Sequence, residues 1–113
     1  MKGIFFIIGA QRCGTTYLYD QLDSHPQISM AKPVYPEPKY FISNHLIYDR
    51  KKYLNTYFSN ISKEQVFGEK STSYIEYPES AKHILSIFPD AKFLIILRNP
   101  ADRAISNYFF SRK

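Results

Sequence analysis

The feature that most limits what this chain can become is a five-residue apolar run, Ile4-Phe5-Phe6-Ile7-Ile8, that stops at Gly9. A β-branched and aromatic run without alternating polar positions suits a strand covered on both faces, as in parallel sheets. Lys92-Phe93-Leu94-Ile95-Ile96-Leu97 repeats the pattern and predicts a second buried strand. Between them the spacing predicts helices over 15–24, 49–58 and 78–88, with shorter strands at 27–30 and 65–68. Leu18 and Leu22 share a face of the first helix, which His25-Pro26 ends; Tyr53, Leu54, Tyr57 and Phe58 mark the second. Pro78 suits the first position of the third, where Ile84, Leu85 and Phe88 share a face before Pro89. Residues 32–38 hold Pro33, Pro36 and Pro38 and predict an irregular loop, and a last helix is expected from Ala101 onward. Strands alternating with helices predict an α/β fold: a parallel sheet with flanking helices, of the P-loop nucleotide-binding type.

The length of 113 residues suits one domain, and a hydrophobic content of 44% with ten Tyr and nine Phe excludes a disordered chain. A net charge of +5 favours an anionic partner, but the charge is scattered. Its one run, Arg50-Lys51-Lys52, reads as a solvated helix face. The aromatic residues fall in apolar strands and helices instead of interleaving with basic ones, which argues against a nucleic-acid platform. Cys13 is the single cysteine, so no internal disulfide forms and a reducing compartment is expected. No run near the start approaches the ~20 apolar residues of a membrane span, and no leader precedes the first strand, so a cytoplasmic protein without a transmembrane segment is expected. His45 and His83 read as surface or hydrogen-bonded histidines.

Ligands of parallel sheets bind beyond the carboxyl ends of the strands, and both long runs deliver a polar segment there. After the first comes Gly9-Ala10-Gln11-Arg12-Cys13-Gly14-Thr15-Thr16, a Gly-x4-Gly-Thr-Thr pattern leading into a helix. Glycines permit the tight turn, the helix start supplies N–H donors and a positive dipole end, and the threonines add hydroxyls, so an oxyanion fits. Taken alone, the two glycines can equally just shape a turn, and Cys13 is either an activated thiol or a small filler. A nucleoside triphosphatase carries Lys after the second glycine; here Thr15 stands there and the cation is Arg12. Arg98 ends the last run where a kinase or nucleotide hydrolase usually has a metal-holding Asp. A cation there suits a further phosphate, so no metal is expected. A P-loop kinase or nucleotide hydrolase is one rival reading; a non-catalytic binding module or anion-binding fragment is another.

With those residues in view, the chain resembles the sulfotransferases that use 3′-phosphoadenosine 5′-phosphosulfate (PAPS). The loop 9–16 resembles their 5′-phosphosulfate motif, and Leu97-Arg98-Asn99-Pro100-Ala101-Asp102-Arg103-Ala104-Ile105-Ser106-Asn107-Tyr108 their 3′-phosphate motif. Pro36-Glu37-Pro38-Lys39-Tyr40-Phe41 and Gly68-Glu69-Lys70-Ser71-Thr72-Ser73-Tyr74 resemble segments of the carbohydrate branch, which includes the heparan sulfate sulfotransferases.

The resemblance implies transfer of a sulfuryl group from PAPS to an acceptor hydroxyl or amine, leaving the product PAP. Gly9, Gln11, Arg12, Cys13, Gly14, Thr15 and Thr16 would hold the 5′-phosphosulfate, with Arg12 at the bridging oxygen. Arg98 and Ser106 would bind the 3′-phosphate. Glu37 would be the base and Lys70 a basic residue lining the site, although each taken alone reads as a solvated charge. Members of the family continue well past this motif. Residues 1–113 therefore read as the N-terminal portion of one sulfotransferase domain, truncated inside a helix. Such a piece is expected to self-associate or to depend on a C-terminal part.

Overall fold

The computed structural model describes residues 2–11, 14–42, 48–59 and 65–97. The first apolar run forms β1 (Gly3–Gly9), which lies inside the sheet and pairs in parallel with two neighbours. Its side chains alternate as a strand requires. Ile4, Phe6 and Ile8 face a large aromatic cluster, whereas Phe5 and Ile7 face a smaller one built on Tyr19 and Met30. Burial on both faces explains why the run lacks polar positions.

Helix α1 (Thr15–Asp23) covers the smaller cluster, with Tyr19 buried and Leu18 and Leu22 packed at its edge. Strand β2 (Ile28–Met30) follows. Helix α2 (Arg50–Tyr57) starts at an Asp49 cap whose carboxylate accepts the Lys52 N–H, and it buries Tyr53 and Leu54 on the other side. Strand β3 (Val66–Lys70) precedes a single 3₁₀ turn, Tyr74–Glu76, and α3 (Pro78–Ile87). Among the described residues, strand β4 (Lys92–Ile95) completes a four-stranded, all-parallel sheet in the order β2-β3-β1-β4. The α/β fold expected from the sequence is the one observed. Among the described residues, no helix is long and apolar enough to cross a membrane.

Gly68 has a packing reason to be glycine. It stands between Phe5 and Met30 in the ladder, and a Cβ there would meet the Phe5 ring at 2.3 Å and the Met30 sulfur at 2.8 Å. The missing side chain lets both neighbours lean across β3.

Three expectations need correction. β3 extends past the expected 65–68 to Lys70, because its ladder with β1 runs through Ile7. Leu85 does not share the buried face of α3 with Ile84 and Phe88; it is 42% exposed. Most markedly, β4 is not buried. Among the described residues it pairs with β1 alone, and Leu94, Ile95 and Leu97 are 41%, 49% and 73% exposed. An apolar run reports what a strand can bury, not whether it is central or at an edge. The backbone pairing does continue past β4: Ile96 donates to the Gly9 carbonyl and Ala10 donates to the Ile96 carbonyl. The expected helix after Ala101 lies outside the described residues.

Candidate active site

The carboxyl ends of β1 and β3 open into a cavity of about 570 Å³. On one side stand Gln11, Gly14, Thr15 and Thr16, the described part of the glycine loop and the start of α1. Gly14 caps the helix with φ 85°, a left-handed conformation that glycine adopts without steric penalty. Among the described residues no side chain caps α1 and no acidic residue sits in its first turn, so none of them compensates its N-terminal donors and positive dipole end. That is the local chemistry an anion requires.

The opposite wall is the proline-rich segment, through Tyr35, Pro36, Glu37 and Lys39, and the floor is Lys70 and Thr72 just after β3. Lys70 Nζ lies 3.0 Å from Glu37 Oε2, with side-chain exposures of only 3% and 10%. It also approaches Thr16 Oγ1 at 3.4 Å and the Tyr35 ring, 5.4 Å from its centroid. Glu37 Oε1 accepts from the Thr72 N–H at 3.1 Å and from its hydroxyl at 3.2 Å. The reading of Glu37 and Lys70 as solvated charges is thereby overturned. Each is held by a partner more than thirty positions away, which a sequence pattern cannot reveal.

Beneath the cavity lies a second carboxylate, Glu69, which is fully buried. It accepts from the Tyr53 hydroxyl at 2.5 Å and the Ser71 hydroxyl at 2.6 Å. Burial pushes its pKa up, the hydroxyl donors oppose that, and the charge of Glu37 adds to the rise. Tyr53, Tyr57 and Tyr74 around it are all raised, first by burial and then by the Glu69 charge. A carboxyl with a raised folded pKa stabilises the fold most below its unfolded pKa, and that contribution falls as pH rises through the folded value. Denaturation midpoints of the wild type should therefore drop across this window, and Glu69→Gln should flatten the drop. Parallel profiles for the two proteins would assign the titration elsewhere.

Of the residues singled out in the sequence, Gln11, Gly14, Thr15, Thr16, Glu37 and Lys70 come together around one cavity. Gly9 sits just below, where a Cβ would meet Ile75 Cγ2 at 2.9 Å, so close packing accounts for it. Arg12, Cys13, Arg98 and Ser106 lie outside the described residues, as does His45. His83 is satisfied by the Phe41 carbonyl and a Tyr48 stack. Thr72, Lys39 and Tyr35 also line the cavity without having been singled out. The only signal for Thr72 and Lys39 was membership of the two segments that carry Lys70 and Glu37, and for Tyr35 its place in the proline-rich loop 32–38.

A parallel sheet with a glycine-led helix start beside a Glu–Lys ion pair offers the elements that an anion-binding site needs. The chain belongs to the sulfotransferase domain family, which it matches over residues 3–113. It is 31% identical over 109 residues to the membrane-associated sulfotransferase kil1 of Dictyostelium discoideum, covering 95% of this chain and 22% of that protein. It is 38% identical over 104 residues to the bifunctional heparan sulfate N-deacetylase/N-sulfotransferase 1 of Caenorhabditis elegans, covering 88% of this chain and 12% of that protein. Among solved structures, a sulfotransferase from Alicyclobacillus acidocaldarius superposes with a TM-score of 0.69 at 32% identity, over 97% of this chain and 50% of that one. The chain thus spans under a quarter of the length of these two curated relatives and half of that solved structure.

Proposed function

We propose that this chain supplies the donor-binding part of a sulfotransferase domain that moves a sulfuryl group from PAPS to a hydroxyl or amine of a carbohydrate. The observation that carries the reading is the Glu37–Lys70 pair, held 3.0 Å apart at a cavity that opens onto the N-terminus of α1. Family membership supports the transferase class, and the heparan sulfate relatives favour a carbohydrate acceptor with an amine among its nucleophiles.

In this reading the α1 N-terminus with Thr15 and Thr16 binds the 5′-phosphate, and Arg12 neutralises the bridging oxygen. Arg98 and Ser106 bind the 3′-phosphate. The acceptor heteroatom attacks sulfur, its proton passes to a Glu37 carboxylate oxygen, and the bond from sulfur to the phosphate oxygen breaks. Negative charge grows on the departing phosphate, where fixed donors and cations stabilise it more than they stabilise the bound substrate. Lys70, beside both Glu37 and Thr16, can turn its ammonium toward the transferring group without leaving the site.

Calorimetry with PAP, AMP and ATP–Mg²⁺ tests the donor assignment. PAP should bind the most tightly, because only PAP presents a 3′-phosphate to Arg98 and Ser106. Equal affinity for PAP and AMP would remove those two residues from the site, and a preference for ATP–Mg²⁺ would favour the kinase reading.

A further inference from the structure

We infer that Glu69 is a positioning residue: from the core it clamps the strap that carries Glu37, and so sets where that carboxylate stands in the cavity. The inference rests on the sulfotransferase reading for the reaction it affects, not for the clamp itself.

The clamp runs through Ser71. Glu69 Oε2 accepts from the Ser71 hydroxyl, and Ser71 Oγ in turn accepts the backbone N–H of Lys39 at 3.1 Å. Beside that link, the Tyr74 hydroxyl oxygen accepts the backbone N–H of Phe41 at 3.4 Å, and the Glu69 charge acts on this tyrosine. The anchored amides are two and four residues beyond Glu37. Tyr53 of α2 supplies a further donor and fixes the carboxylate through its other oxygen, Oε1.

An independent observation lies in the strap itself. Lys39 has φ 50°, a left-handed backbone on a residue with a side chain. Such a conformation persists only where the surroundings over-determine it, and it marks segments whose exact placement matters. The strained residue is the one whose N–H Ser71 holds.

The same β3 end supplies Glu37's direct partners. Lys70 and Thr72 flank Ser71 in sequence, so one clamp aligns the strap with the two groups that contact the Glu37 carboxylate. Burying a carboxylate is unfavourable, and apolar residues of like volume often stabilise a core better. An acid at this place therefore suits a positioning role better than a stabilising one.

The test uses Ser71→Ala and Glu69→Gln in the intact protein, with amide exchange, PAP affinity and transfer kinetics measured together. Ser71→Ala should speed exchange of the Lys39 amide, keep PAP affinity within about twofold, and lower kcat by about 10- to 100-fold, the scale of a misplaced reacting group. Glu69→Gln keeps an oxygen acceptor and should retain more activity than Ser71→Ala. Unchanged exchange at Lys39, or unchanged kcat in an active enzyme, would overturn the inference. So would a loss of PAP affinity that parallels kcat, which would mean general disruption. A wild type that transfers no sulfuryl group would instead overturn the functional reading, while the exchange arm still decides whether Glu69 and Ser71 hold the strap.

Discussion

Glu37→Gln is expected to lower sulfuryl transfer by about 100-fold or more while PAP affinity stays near the wild-type value, the scale for losing a general base. The amide retains an oxygen for the Thr72 N–H and hydroxyl, which now meet Oε1, so the strap should keep its place. It loses the ability to take a proton, and it loses the charge that meets Lys70 at 3.0 Å. In the proposed reading PAP sits against the other wall, at Gln11 and Gly14 to Thr16, so the effect should fall on kcat. Steady-state kinetics with calorimetry of PAP separate the two. Full activity in Glu37→Gln would move the base to another residue.

Lys70→Met is expected to be the more damaging change, because it acts on fold and chemistry together. Breaking a buried pair from one side leaves an uncompensated charge and costs about 3 kcal/mol or more. Glu37 is the charge left behind, at 10% side-chain exposure. Transfer should also fall, by about 100-fold, the usual loss for one transition-state charge contact. The double variant Glu37→Gln/Lys70→Met leaves neither charge and should recover much of the stability but none of the activity. Urea denaturation of the four proteins closes the cycle. A Lys70→Met protein as stable as wild type would show that the pair is effectively solvated.

Much of the framework was legible because it is written locally. An unbroken apolar run marked β1, and Pro78, Asp49 and His25-Pro26 bounded the helices within a residue or two of their observed ends. The glycine loop was legible from its spacing, and four ordered motifs carried the family. What stayed hidden depends on contacts between distant segments. Nothing near Glu37 announces Lys70, and nothing near Glu69 announces Tyr53 from α2. The exposure of Leu94 and Ile95 was hidden for the same reason: strand order is a property of the assembled sheet, and β4 has the same composition that a central strand would have.

The sheet order also sets a timetable. β1 emerges first during synthesis, yet its ladder partners begin at Val66 and Lys92. At about 5–20 residues per second, the strand waits roughly 3 to 12 seconds for even the nearer of them. Throughout that interval a segment reading Ile-Phe-Phe-Ile-Ile is extended, apolar and unpaired, the kind of sequence that associates with its own copies. α1 can shield one face early, since its Tyr19 and Leu22 are made within seconds of Ile7. The other face awaits Tyr53, Phe67 and Ile84. A nascent chain of this kind therefore gains from whatever holds apolar segments apart while it grows, and slower translation lengthens the interval over which β1 stays unpaired.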